Sequence, residues 1–202
     1  MAIEKRLLLT RLANCPVLNL GEYTYGMPQG LVLEFGVHVG NTIRAISHFT
    51  DRPVFGFDSF EGLPEDWSGA GGVKKGHFAC EIPENLRHNV VLVKGWFEDT
   101  LGPFCKAMNH NKVAFVHIDC DIYSGAKTIF GELTKADMWQ DGSVIVFDEI
   151  AGYPGWEEGE FKAFNEFLDA TGWRWKLLGI HGGNRADLDQ GGEVKCAFKI
   201  FK

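Results

Sequence analysis

The sequence predicts an α/β fold: an open sheet of seven strands, mostly parallel with an antiparallel C-terminal strand, and helices on both faces. Three observations carry this. Apolar runs recur along the chain with helical patterns between them, and that alternation implies a parallel sheet with helices on both faces. Val113 to Tyr123 (V-A-F-V-H-I-D-C-D-I-Y) and Gly142 to Ile150 (G-S-V-I-V-F-D-E-I) carry continuous apolar stretches, as strands buried on both faces do. The last two runs, Trp173 to Leu178 and Val194 to Phe201, have no helical pattern between them. They read as a hairpin-like pair that adds an antiparallel element to the edge.

Taken in order, an N-terminal helical segment fills residues 1–25, and Leu31 to Phe35 is the first strand. A helix follows over Asn41 to Phe49, with Ile43, Ile46 and Phe49 at helical spacing. Val54 to Phe57 and Asn89 to Val93 are the next strands, then a short helix at Leu101 to Met108. Val113 to Ile118 is the fourth strand, and Ala126 to Ala136 a helix carrying Ile129, Phe130 and Leu133. Ser143 to Phe147 is the fifth strand. The helix Glu157 to Ala170 buries Phe161, Phe164, Phe167 and Leu168. Two segments break the rhythm. Glu61 to Leu86 is long and rich in Gly, Pro and charge, and such loops are often functional lids. Ile180 to Gly192 reads as plain surface.

A chain of 202 residues with 45% hydrophobic and 13% aromatic content fits one well-packed domain. Its formal charge is −7 and its basic residues do not cluster beyond pairs such as Lys74-Lys75, which argues against a nucleic-acid partner. The opening leucines Leu7 to Leu9 are too few for a signal or a membrane span. Five cysteines without a C-x-x-C pair read as free thiols in a reducing cytoplasm.

The acids at the strand ends come next. Asp119 and Asp121 end one run, Asp148 and Glu149 the other. Acids can simply terminate strands as turn formers. Two strands ending alike favour an oxygen-rich pocket outside the carboxyl ends of the sheet, suited to a hard cation, a general base, or both. A turn with Gly36 and Gly40 follows the first strand. It is either an ordinary strand-to-helix turn or a place for a ligand to approach the backbone. The dinucleotide pattern G-x-G-x-x-G fails because His38 holds the middle glycine position, and no P-loop GK[ST] follows. Asp58 ends the second strand, where an acid accepts ribose hydroxyls. The chain therefore asks for a nucleoside without a pyrophosphate. S-adenosylmethionine meets both demands. Tyr123 and Lys127 match the Y-x-x-x-K of short-chain dehydrogenases, but that pattern normally accompanies a nicotinamide loop absent here.

Five motifs in order, L-E-F-G-V-H-V-G-N-T, F-G-F-D-S-F-E-G-L-P, K-G-W-F-E-D-T-L, H-I-D-C-D-I-Y-S and V-I-V-F-D-E-I, together resemble class I S-adenosylmethionine-dependent methyltransferases of the macrocin O-methyltransferase type. The Y-P-G-W-E-E-G-E-F-K-A-F-N-E-F segment is in the same style, and the likeness covers roughly Leu31 to Leu168. It implies a single methyltransferase domain over residues 1–202 with a Rossmann-like sheet. It also implies that Glu34 and Gly36 lie against the methionine part of the cofactor, beside Gly40, and that Thr42 binds its carboxylate at a helix N-terminus. Asp58 would hold the ribose, with Ser59 beside it. Gly95 to Glu98 would form the adenine wall, with Trp96 or Phe97 stacking or packing in the core, and Glu98 reaching the exocyclic amine. Asp119, which also stands beside the cofactor, would bind a divalent metal, magnesium above all, with Asp148 and Glu149. Catechol-type enzymes place Asp, Asp and Asn at these points, so Glu149 is a departure.

The expected chemistry is O-methylation of a sugar or phenolic hydroxyl on a small-molecule acceptor, probed by Trp67, Tyr153 and Trp156 as flat stacking surfaces. Asp119 and Asp121, two apart and on one side if the strand continues, are candidate bases. His38 is a third, and His117 is expected to point away or satisfy a backbone group. The expectation is a cytoplasmic protein, free or in a homo-oligomer, with no membrane partner. A non-catalytic nucleoside or metal-binding protein on the same fold and a dehydrogenase are the competing classes.

Overall fold

The computed structural model describes residues 2–68, 72–181 and 193–202. Its strands are β1 (Leu31–Phe35), β2 (Val54–Asp58), β3 (Val90–Lys94), β4 (Val113–Ile118), β5 (Val144–Ala151), β6 (Arg174–His181) and β7 (Val194–Phe201). Its helices are α1 (Lys5–Asn14), α2 (Asn41–His48), α3 (Phe97–Ala107), α4 (Tyr123–Lys135) and α5 (Glu160–Thr171). Short 3-10 turns stand at Leu20–Thr24 and Trp156–Glu158.

The strands form one sheet in the order β3-β2-β1-β4-β5-β7-β6. The first five are mutually parallel, and β7 runs antiparallel to both β5 and β6. The expected C-terminal antiparallel strand is therefore present, but β7 is inserted inside the sheet and β6 takes the edge. Strand order reverses beside β1, so the chain leaves β1 and β4 toward opposite faces of the sheet, and a crevice opens outside their carboxyl ends.

Alternation along each strand separates two cores. Leu33, Phe35, Val116, Ile118, Ile145, Phe147 and Phe198 face α3, α4 and α5, whose Leu101, Phe104, Ile129, Phe130 and Phe164 cover them. Val32, Phe115, Val144, Val146 and Ala197 face the other way, against Ile43 and Ile46 of α2 and Tyr23. Helices thus lie on both faces.

Several boundaries move. The α3 helix begins at Phe97, four residues before the expected start, and carries Pro103 at its seventh position, past the first turn, where the proline forfeits one intrahelical hydrogen bond. The N-terminal segment is helical only over Lys5–Asn14 and a 3-10 turn. The long helix expected from Glu157 is split at Gly159 into the 3-10 turn and α5. All five cysteines are free thiols. Among the described residues no helix is long and apolar enough to cross a membrane. Most of the Ile180 to Gly192 segment, residues 182–192, lies outside the described residues.

Candidate active site

Backbone hydrogen bonds line up the strand ends. Asp119 N–H donates to Phe35 O at 2.9 Å, Gly36 N–H to Phe57 O at 2.9 Å, and Gly95 N–H to Asp58 O at 2.9 Å. Asp119, Gly36, Asp58 and Gly95 therefore stand in one row along the crevice. A cavity of about 480 Å³ opens there, within the range of small-molecule sites. Its lining includes Gly36, His38, Asp58, Ser59, Gly95, Trp96, Phe97, Glu98, Asp119 and Asp121. The lid segment contributes Gly62 to Glu65 and Phe78, and α4 contributes Ser124, Gly125 and Thr128. Glu65 of the lid accepts a 2.7 Å hydrogen bond from the Ser124 hydroxyl, which ties lid to helix.

Gly36 permits this geometry in a way the sequence did not reveal. Its φ is +91°, and a Cβ there would stand 1.7 Å from the Asp119 carbonyl oxygen. The close approach is to the end of β4, and that approach brings Asp119 to the cavity. Gly36→Ala is expected to lower stability by about 3 kcal/mol, from the left-handed backbone and the displaced strand end together. Urea unfolding checks this; a loss below about 1 kcal/mol would remove the role.

The Asp58 carboxylate organises the turn. Oδ2 accepts the N–H groups of Val37 (2.8 Å) and His38 (2.7 Å), and Oδ1 that of Phe60 (2.7 Å). Both His38 (φ +47°) and Phe60 (φ +61°) are left-handed, a strain that these bonds offset. Glu34, Gly40, Thr42, Asp148 and Glu149 are not among the lining residues. Gly40, at φ +84°, is the N-cap of α2, and Thr42 lies in that helix's first turn. Glu34 is wholly buried, with Oε1 3.1 Å from His117 Nδ1. His117 therefore pairs with a carboxylate; the expectation of a backbone partner is not met.

Strand β4 stops at Ile118, so Asp119 and Asp121 do not share a face by strand alternation. Instead Asp121 takes φ +66° in a three-residue turn closed by Ile122 N–H to Cys120 O at 2.7 Å. That turn swings its carboxylate back toward Asp119. Among the described residues two groups of potential metal ligands result, each with ligand atoms within 4.8 Å of one another: His117, Asp119 and Asp148, and Asp119, Asp121 and Glu149. Asp119 is common to both. Asp148 and Glu149 are adjacent in β5 and project to opposite faces, which divides the expected trio between the two groups.

Burial of so many carboxyls is costly without a cation. Burial and the neighbouring Asp148 raise the Asp119 carboxyl well above the usual carboxylate range. Burial pushes Asp121 up to about 7, against a lowering hydrogen bond from Glu149. Burial and Glu160 raise Glu149 likewise, and its Oε1 is buried without a hydrogen-bond partner. An orphaned buried oxygen among acids is what a divalent cation would satisfy.

Residues 33–150 match the family profile described as a methyltransferase domain. The chain belongs to this methyltransferase family. The match spans more than half of the methyltransferase and all four strand ends of the row. Among solved structures, the calicheamicin methyltransferase CalS11 is similar, with a TM-score of 0.63 and 21% identity over 97% of this chain and 80% of that one. The O-methyltransferase NovP is similar too, at 0.61 and 19% over 96% and 80%. A structure of CmcI described as Mg-SAM gives 0.51 and 14% over 90% and 69%. At these identities the likeness concerns the fold. Among curated proteins, no sequence matches.

Three features of the methyltransferase site were not foreseen. Glu160, the first residue of α5, is wholly buried and accepts the Cys120 N–H at 3.2 Å. Lys195 of β7 forms an ion pair with Asp148. Trp67, Tyr153 and Trp156 are buried in packing, Trp67 against Tyr153 and Trp156 against Phe161, so they offer no open stacking face. Tyr123 and Lys127 bond to one another at 2.6 Å on the exposed face of α4, and neither lines the cavity.

Proposed function

We propose that this methyltransferase transfers a methyl group from S-adenosylmethionine to a hydroxyl of a small molecule, a sugar or a phenol, with a divalent cation beside the acceptor. The observation that carries the reading is the row Gly36, Asp58, Gly95 and Asp119 along one cavity, with Trp96, Phe97 and Glu98 at one end and carboxylates at the other. The fold neighbours support it: CalS11 is described as a TDP-rhamnose 3′-O-methyltransferase, NovP as an O-methyltransferase, and CmcI as carrying Mg-SAM. The macrocin O-methyltransferase type remains the family style that the five sequence motifs favour.

In this reading Asp58 and Ser59 hold the ribose hydroxyls, and Trp96 and Phe97 flank the base. S-adenosylmethionine supplies an electrophilic methyl group on a sulfonium, which leaves as a neutral thioether when the new carbon–oxygen bond forms. Asp119, shared by both groups, would anchor the cation, with Asp148 from one group and Glu149 from the other as the further carboxylates available to it. A divalent cation, magnesium being the one an all-oxygen set selects, supplies positive charge that lowers the proton affinity of a neighbouring hydroxyl. Asp121, raised by burial and by the acids around it, lies beside Asp119 and takes the proton as general base. His38, which lines the cavity in edge contact with Phe78, is the second candidate base. The lid and α4 exclude water while positioning supplies much of the rate.

Asp58→Ala is expected to weaken S-adenosylmethionine binding roughly ten- to a hundredfold, the worth of charged hydrogen bonds of about 1.5–3 kcal/mol. Calorimetry with S-adenosylhomocysteine checks it; unchanged affinity would remove Asp58 from the ribose site. Methyl uptake from labelled S-adenosylmethionine across hydroxylated sugars and phenols then tests the reaction itself. A non-catalytic binder would bind the cofactor and methylate none of them.

A further inference from the structure

A polar row crosses the sheet at its carboxyl end, on the α2 face. Below it that face is apolar: Val32, Phe115, Val146 and Ala197. Two residues further along, the same alternation places Glu34 on β1, His117 on β4, Asp148 on β5 and Lys195 on β7. Glu34 and His117 are register partners. His117 has no exposed side-chain surface, and its Nδ1 stands 3.1 Å from Glu34 Oε1. An ionised carboxylate only accepts, so Nδ1 carries the hydrogen and the Nε2 lone pair faces the other way.

That lone pair is aimed at acids. Nε2 has no hydrogen-bond partner although it is fully buried. It lies 3.9 Å from Asp148 Oδ1, and Nε2, Asp119 and Asp148 present ligand atoms within 4.8 Å of one another. Two carboxylates opposite this nitrogen call for positive charge there, either a second proton on the imidazole, which the same acids favour, or a metal ion bound by Nε2. An imidazole anchored through its second nitrogen by a buried carboxylate is the usual arrangement of a metal-ligating histidine.

We propose that the cation of this site is a first-row transition dication held by His117 Nε2, Asp119 and Asp148, with Glu34 fixing the imidazole. The inference rests on the reading that a divalent cation binds here, and it changes the ion's class. Magnesium seeks oxygen ligands, whereas imidazole favours the transition ions. The Lys195 ammonium holds the other oxygen of Asp148 and fixes that carboxylate from the far side. Asp121 and Glu149, in the second group, are left to the acceptor's proton.

Pulsed electron paramagnetic resonance of the full chain titrated with Mn²⁺ tests this. The expected result is a ¹⁴N modulation from a coordinated imidazole, lost in His117→Gln, with the Mn²⁺ to Mg²⁺ affinity ratio falling at least about tenfold. Glu34→Gln, which keeps the imidazole but loosens it, should weaken Mn²⁺ binding about 10–100-fold, and it carries the test if His117→Gln does not fold. Bound Mn²⁺ without nitrogen modulation would overturn the histidine ligand and leave the oxygen-bound cation standing. Failure of both Mn²⁺ and Mg²⁺ to bind would overturn the cation reading as well.

Discussion

Replacing Asp119 by asparagine is expected to reduce methyl transfer about a thousandfold while raising the stability of the cation-free protein. The two effects have opposite signs for one reason. Asp119 is the carboxylate common to both acidic groups, so its loss removes the cation's anchor and disorders the acceptor's proton path; loss of a charge-stabilising group of this kind costs about 10²–10³ in rate, and proton transfer adds to it. The same carboxylate is raised by burial and by Asp148. An amide there carries no charge to desolvate, so unfolding should require about 1–2 kcal/mol more in the presence of chelator. Cofactor affinity should change little, because Asp58 and the Trp96–Phe97 wall are untouched. Single-turnover kinetics and urea unfolding read the two arms. Full turnover in Asp119→Asn would end the carboxylate account of the site.

The second large effect is a pH dependence of folding. Asp121 rises from its ordinary value of 3.8 to about 7 in the folded protein, chiefly through burial. Its folded pKa is therefore above its unfolded one. The native state binds the proton more tightly, so stability present below about pH 4 is lost as pH rises toward 7. The gap corresponds to about 4 kcal/mol as an upper bound, since the neighbouring carboxyls share the protons. In chelator, wild-type stability should fall relative to Asp121→Asn by up to this amount between about pH 4 and pH 8. A divalent cation held at the neighbouring Asp119 should offset the loss, because its positive charge favours the ionised form of Asp121. Parallel pH profiles for the two proteins would contradict the buried acidic cluster.

What the sequence made legible was whatever a period could encode. Val113 to Ile118 and Leu31 to Phe35 match β4 and β1 residue for residue because strands buried on both faces announce themselves as apolar runs. The acids stood out because they end such runs. Their grouping was not legible, because the fold uses turns and pairings that no period records. Asp121 reaches Asp119 through a left-handed backbone, not through strand alternation. Lys195 meets Asp148 only because β7 is inserted between β5 and β6. His117 and Glu34 lie 83 positions apart, and only the parallel register of β1 and β4 joins them. The rings of Trp67, Tyr153 and Trp156 suggested a binding surface by composition, and packing claimed them instead.

Cofactor binding tests the central claim most directly. Calorimetry of the purified chain should show one site for S-adenosylmethionine and S-adenosylhomocysteine, weakened by Asp58→Ala, and no heat with NAD. Saturable binding of NAD in their place, or no binding of either sulfur nucleoside, would contradict the account.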